Sequence, residues 1–326
     1  MATKNINSKT NKNDVVYQIL TDRVTEALKS GIIPWERPWF GTSGAWGRTS
    51  KGKPYSILNQ LCLPEGGEYI TFNQMQAEGG HLKEGAKSSI ICFFKLNKKE
   101  FVGEDGSPIL DKDGNPEYKT WATLKYYRVF NIKDTDLKQR YHRIEDMGIS
   151  ERQRNKKADA IIKNYLEREG ITLHQDKQRG EAFYLPSDDS ITLPLKKQFK
   201  DKALYYNTCF HEITHSTGAS TRLNREVKNL FGSAAYAREE LVAELGAATM
   251  LHRRGIFTKR AETNSAAYIQ NWLGALENDI KLIAWAAVRA QKAADFIDPL
   301  PSEFIDEEPD LEEQMELDLV AGAGIA

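Results

Sequence analysis

At 326 residues, with 40% hydrophobic and 28% charged content, the chain has room for two domains of ordinary size and the composition of a soluble globular protein. It has no apolar run near the ~18 residues of a membrane span, no signal-peptide core, and only Cys62, Cys92 and Cys209, too scattered for a disulfide framework; the expectation is a cytoplasmic protein with no membrane partner. The formal net charge of -1 hides a segregation of +9 over residues 1–297 and -10 over residues 298–326, which suits a basic body that meets a polyanion.

In chain order, residues 1–13 are polar and basic and are expected to be a disordered tail. Val16, Ile19, Leu20, Val24 and Leu28 follow helical spacing and predict a helix that ends near Gly31. A Trp-rich run, Pro34 to Phe40, follows. Residues 69–76 predict a strand end running into a helix that stops at Gly79-Gly80. Ser88 to Lys95 is β-branched and aromatic and predicts a central strand, with Lys119 to Ile132 as its returning partner. Between them, the charged and Gly/Pro-rich stretch 97–119 reads as a hairpin tip. Residues 14–145 are thus expected to form a mixed α/β domain, with a boundary in the polar stretch 133–156.

The second segment, 146–297, reads as mainly helical, so the overall class is α+β. Lys157 to Glu169 predicts an amphipathic helix stopped by Gly170, and residues 181–194 predict two short strands around a Pro186–Asp189 turn. Phe199 to Ser216 predicts a helix, as does Ala234 to Arg254 with Ser233 as its N-cap. Residues 264–296 predict one or two more. The acidic residues 298–326 read as a disordered tail.

The helix before Gly218 carries His211-Glu212-Ile213-Thr214-His215. Two imidazoles four residues apart lie on one helical face, close enough to share a metal ion. With 6 His and 46 acids, chance supplies only about 0.016 such pentapeptides. Glu212 stands where a metal-dependent hydrolase keeps its general base. The far face, with Tyr206, Cys209, Phe210 and Ile213, is expected to pack. A catalytic zinc takes three protein ligands, and Cys209 faces the wrong way. The next helix offers Glu239, Glu240 and Glu244, and helical geometry leaves the choice among them open. His174, His252 and Tyr236 are nominees for a second electrophile.

The two helices resemble those of the glutamate-type zincins. That resemblance implies zinc as cofactor, Glu240 as third ligand, and Glu244 as the acid orienting a histidine.

The first segment combines aromatic and basic residues, the two ingredients of a single-strand-binding groove. Trp35, Trp39, Trp46 and Tyr55 lie near Arg37, Arg48, Lys51 and Lys53, and Tyr126 and Tyr127 lie near Lys95, Lys125 and Arg128; Asn59 joins this set. Phe93 and Phe130 read as core. The runs GIIPWERPWF, KPYSILNQL, YITFNQMQAEGGHLKEGAKS and KYYRVFNI, then AFYLPSDDSITLP and HEITHSTG, resemble in order the ArdC antirestriction family. The resemblance spans about residues 14–297. It implies a single-stranded DNA-binding domain joined to a zincin-like metallopeptidase domain, protecting incoming plasmid or phage DNA; the peptidase substrate stays open among a host protein of the restriction system or a regulator, the chain itself, or none. Two alternatives stand beside it: a DNA-binding module whose zinc domain is scaffold only, and a zinc protease of a host regulator with no DNA role.

Overall fold

A computed structural model describes residues 12–36, 47–103, 107–110, 116–140, 149–176, 180–225, 234–256 and 265–299. Residues 1–11 and 300–326 of the expected tails, and the Ser233 cap, lie outside the described residues; Lys12 and Asn13, expected in the tail, already belong to the first helix, and Asp298 caps the last one. Helix α1 (Lys12–Lys29) buries Val16, Leu20, Val24 and Leu28, and Gly31 ends it at φ +70°. Strands β1 (Arg48–Thr49), β2 (Glu68–Ile70), β3 (Ser89–Glu100) and β4 (Tyr118–Asn131) form one sheet in the order β1-β2-β4-β3. Helices α2 (Ile57–Cys62) and α3 (Phe72–Ala77) interrupt its strands. The β3–β4 hairpin is longer than expected, pairing from Ser89↔Val129 to Glu100↔Tyr118. The charged stretch beyond Lys95 continues the ladder as far as Glu100.

Helix α4 (Glu151–Glu169) begins six residues before the expected Lys157. Ser150 accepts the Gln153 amide while Gln153 reaches back to the Ser150 amide, a capping box that starts the helix inside the polar stretch. A second sheet has the order β5-β7-β6, from β5 (Thr172–Asp176), β6 (Phe183–Leu185) and β7 (Ser190–Pro194), with β6 antiparallel at one edge. Helix α5 (Lys202–Ser216) starts at an Asp201 cap, later than Phe199. Helices α6 (Ala234–Arg254), α7 (Ser265–Asn278) and α8 (Leu282–Ile297) complete the described chain. Among the described residues no helix is long and apolar enough to cross a membrane.

The expectation of a separate core for each segment gives way to a shared one. Val16, Leu20, Val24, Leu28, Trp35 and Leu58 pack in one cluster with Leu241, Leu245, Trp272, Leu276, Ile283 and Ala287. Thr21 also donates its hydroxyl to the Ile280 carbonyl at 2.7 Å. Helix α1 packs against β4 and α2 of its own segment and, across the shared cluster, against α7 and α8. A second cluster joins α4, β7 and the back of α5 to Ala247, Met250 and Leu251 of α6. Helix α6 therefore has an apolar side in each cluster, and its carboxylates Glu239, Glu240 and Glu244 lie on the remaining strip, turned toward α5 and largely covered.

Helices α5 and α6 meet at Gly246. A Cβ built there lies 2.6 Å from both Cγ2 and Oγ1 of Thr214, a buried β-branched side chain with little room to rotate. Gly246→Ala is expected to cost about 1–3 kcal/mol in urea unfolding. Adding Thr214→Ala should restore much of that loss; equal stability of wild type and Gly246→Ala would remove the close approach as a packing constraint.

Candidate metal centre and nucleic-acid interface

Position 211 and position 215 fall on one face of α5, and the opposite face, with Tyr206, Cys209, Phe210 and Ile213, is sealed in the second core cluster. That seal fixes the rotation of the helix. The Nε2 atoms of His211 and His215 lie 3.1 Å apart. From α6, Glu240 brings Oε2 to 3.6 Å from Nε2 of His211 and Oε1 to 3.4 Å from Nε2 of His215. One ligand atom from each of the three lies within 4.8 Å of the others, the only such described group of three His, Cys, Asp or Glu residues.

The other ring nitrogens are held from behind. Nδ1 of His211 lies 3.4 Å from Glu244, and Nδ1 of His215 lies 3.3 Å from Glu239. A carboxylate on Nδ1 fixes tautomer and ring direction, so both Nε2 lone pairs are aimed at the same point. Three adjacent carboxylates of one helix thus divide the work: Glu240 faces between the rings, and Glu239 and Glu244 flank them. Glu212, 7% exposed, is the fourth carboxylate of the group.

Sequence reasoning weighed Glu239 only as a rival ligand and missed Arg225 altogether. The Arg225 guanidinium, 8% exposed, donates two bonds to Glu239, at 3.1 and 2.9 Å, and two more to Thr217 Oγ1 and the Thr214 carbonyl. Glu239 is thereby pulled away from the point between the rings. A buried-side Arg ten residues beyond the second histidine, in a segment otherwise turn-like, was the available signal.

Electrostatics fit a cation. Burial disfavours a charged His211, but the hydrogen bonds to Glu240 and Glu244 and the field of Glu212 outweigh it, holding its pKa well above the ordinary value. His215 is raised in the same way, against burial, by Glu239 and Glu240. Burial pushes Glu240 up, yet both imidazoles hold it far below the usual carboxylate range. Four carboxylates and one guanidinium around two imidazoles leave a negative surplus that a divalent ion offsets. The donor set of two imidazole nitrogens and one carboxylate suits zinc or manganese.

Beside the centre, Arg222, 2% exposed, ties the Ser216 carbonyl at the end of α5 to Asp189 in the β6–β7 turn. Asp189 sits at φ +50°. Edge strand β6 is held close to α5 by this clamp. Of the nominated electrophiles, His174 is exposed on β5 and His252 contacts the Trp35 carbonyl at 3.3 Å. Tyr236 lies one turn before Glu240 on the same helical face.

The described nucleic-acid candidates divide between core and surface positions. Arg37, Trp39 and Trp46 lie outside the described residues, as does the side chain of Lys95. Trp35, 1% exposed, is a core residue set edge-on to Trp272 at 5.0 Å, and Tyr55, 9% exposed, packs against Tyr69. Neither ring has a free face for a base, because each supplies a large apolar area to a small core. The Asn59 side chain is engaged by the Cys92 amide at 2.6 Å and holds α2 to β3. Arg48, half-buried, donates to the Gly52 carbonyl. Lys53 is half-buried with its pKa lowered by burial, against the pull of Asp295. Tyr127 is half-buried beside Phe93. Tyr126 and Arg128 remain exposed on β4, Arg128 donating to Ser88 Oγ at 2.8 Å.

Comparisons with known proteins agree with both halves. A family described as zincin-like metallopeptidase matches residues 157–289, and the N-terminal domain of anti-restriction factor ArdC matches residues 14–130. A DNA primase TraC of Escherichia coli is 32% identical over 291 residues, 86% of this chain and 27% of the primase, so the chain spans about a quarter of that relative's length. The crystal structure of the antirestriction ArdC protein from plasmid R388 in its metal-free form is similar at TM-score 0.65 and 30% identity, covering 86% of this chain and 96% of that one. Its Mn(II)-bound form gives 0.63 and 29%, covering 90% and 99%.

Arg225→Ala is expected to release Glu239 and loosen the His215 ring, weakening divalent-metal affinity by about 10–100-fold. Competition with a chromogenic chelator reads this directly, and an unchanged affinity would mean that Arg225 and Glu239 do not orient His215.

Proposed function

The chain belongs to the ArdC antirestriction family, and from that premise we propose that it binds single-stranded DNA and carries a zinc-dependent metallopeptidase centre that serves protection of incoming plasmid or phage DNA. The observation that carries the peptidase half is the convergence of both Nε2 atoms and Glu240, with Glu239 and Glu244 behind the rings. His211, His215 and Glu240 hold the metal in this reading. When bound, zinc supplies Lewis-acid chemistry, polarising a carbonyl and acidifying water.

The remaining roles fall to side chains of the chain itself. Glu212, next to His211 and nearly buried, is the general base: it takes the proton of the water that attacks the peptide carbonyl and returns it to the departing amine. Tyr236 is the nominee to steady charge developing on the carbonyl oxygen. Edge strand β6 offers unpaired backbone groups along which a substrate peptide can lie as an added strand. A protein of the host, from the restriction system or its regulators, is the proposed substrate. The DNA half is supported by the match to the ArdC N-terminal domain and by the exposed Tyr126 and Arg128 on the long hairpin.

Two measurements test the halves separately. Glu212→Gln is expected to lower peptide cleavage by about 10²–10⁴-fold while leaving metal binding intact. Equal cleavage by that variant would dismiss Glu212 as the base, and DNA protection undiminished in it would make the zinc domain a scaffold. For DNA, affinity for a single-stranded oligonucleotide should fall linearly on a log–log scale with salt, by about 0.7 per phosphate contact. A flat salt response in a gel shift would remove the DNA half.

A further inference from the structure

A cavity of ≈ 480 Å³ opens between α6, α8 and the segment after α5. It shares Arg225 and Glu239 with the wall of the metal centre, and Arg238, Arg289, Lys292 and Trp285 also line it. Four cations face one carboxylate. Arg225 is spent on Glu239, and Arg238 is paired with Asp279 at 3.0 Å. Arg289 lies flat on Trp285, its guanidinium carbon 3.9 Å from the ring centre. Lys292 is exposed one turn further along α8. Among the described residues neither Arg289 nor Lys292 forms an ion pair.

Two like charges one turn apart on a helix repel each other, and Arg225 adds to the repulsion. Burial and Arg225 together lower the pKa of Arg289, with Glu239 opposing them. A concave site that gathers uncompensated cations in this way is built for an anion. The chain supplies one at short range. Helix α8 ends at Ile297, five residues and about 7.5 Å beyond Lys292. Residues 298–326 then carry ten acids and no base, with Asp306, Glu307, Glu308 and Asp310 the first dense group. Nine residues of extended chain from Ile297 to Asp306 span about 30 Å, enough to turn back over the end of α8. A tethered anion at that distance reaches an effective concentration on the order of millimolar, so weak pairwise attraction suffices.

We propose that this cavity is the docking site of the chain's own acidic C-terminal segment, with carboxylates of residues 306–310 against Arg289 and Lys292. The segment so placed lies on the far side of Arg225 and Glu239 from the metal ligands, and the proposal holds whether or not peptides are cleaved. Other anions that fit the same cations, a nucleic-acid phosphate or an acidic side chain of a partner, would leave the segment free or elsewhere.

Zero-length carbodiimide coupling on the full chain, read by peptide mass spectrometry, tests this. The expected product is an intramolecular amide between Lys292 and one of Asp306, Glu307, Glu308 or Asp310, lost in Arg289→Glu and lost in the wild type at high salt. Coupling of those carboxylates to Lys51, Lys53 or Lys125 instead, no coupling at all, or coupling to Lys292 that persists at high salt and in Arg289→Glu would overturn it. The salt arm uses the unaltered chain, so the test stands even if the Arg289 variant fails to fold.

Discussion

The backbones of α5 and α6 come together at Gly246, and the distances from the α6 carboxylates to the α5 histidines depend on that approach. The missing Cβ lets the buried Thr214 side chain sit against the α6 backbone. Glu240 and Glu244 precede and bracket this contact by two to six residues, so the gap between helices sets how far their carboxylates stand from His211 and His215. Helices packed 1 Å further apart would leave Glu240 outside hydrogen-bonding range of both rings. The centre is therefore a product of packing in the apolar cores, which clamp α5 from behind and α6 from both sides.

Charge completes what packing begins. Glu212 on α5 and Glu239, Glu240 and Glu244 on α6 repel one another unless cations are interleaved. Arg225 neutralises one of them and, in doing so, chooses which carboxylate points inward. The imidazoles balance the others only while protonated, a state incompatible with binding a metal. A divalent ion resolves the conflict by replacing the ring protons with its own charge.

Much of this was legible in the sequence. The spacing of His211 and His215, the packed back face of their helix, and the strand–turn–strand at 181–194 follow from short-range periodicity, which tertiary contacts did not override. Helix starts were read late at α4, where a capping box begins inside charged residues, and early at α5, where Asp201 sets the first turn. The aromatic reading of the first segment fared differently. Trp35 and Tyr55 sit among basic residues in the sequence, but their rings are buried by residues some 15 to 240 positions away, and no local pattern distinguishes such a ring from a stacking platform. The shared core was invisible for the same reason: the apolar stripe of α1 announces that it needs a partner without saying which. Arg225 was missed because its role exists only once Glu239 is beside it.

That shared core bears on how the protein is made. The stripe of α1 emerges from the ribosome first, whereas the Leu241–Ala290 surface that covers it is synthesised roughly 220 to 270 residues later. At about 5–20 residues per second, the part of α1 that packs on α7 and α8 waits on the order of 10–50 seconds for its cover, although α2 and β4 reach the helix much sooner. The histidine–carboxylate centre, with Glu239, Glu240 and Glu244 on the same late helix α6, cannot assemble before that helix is made.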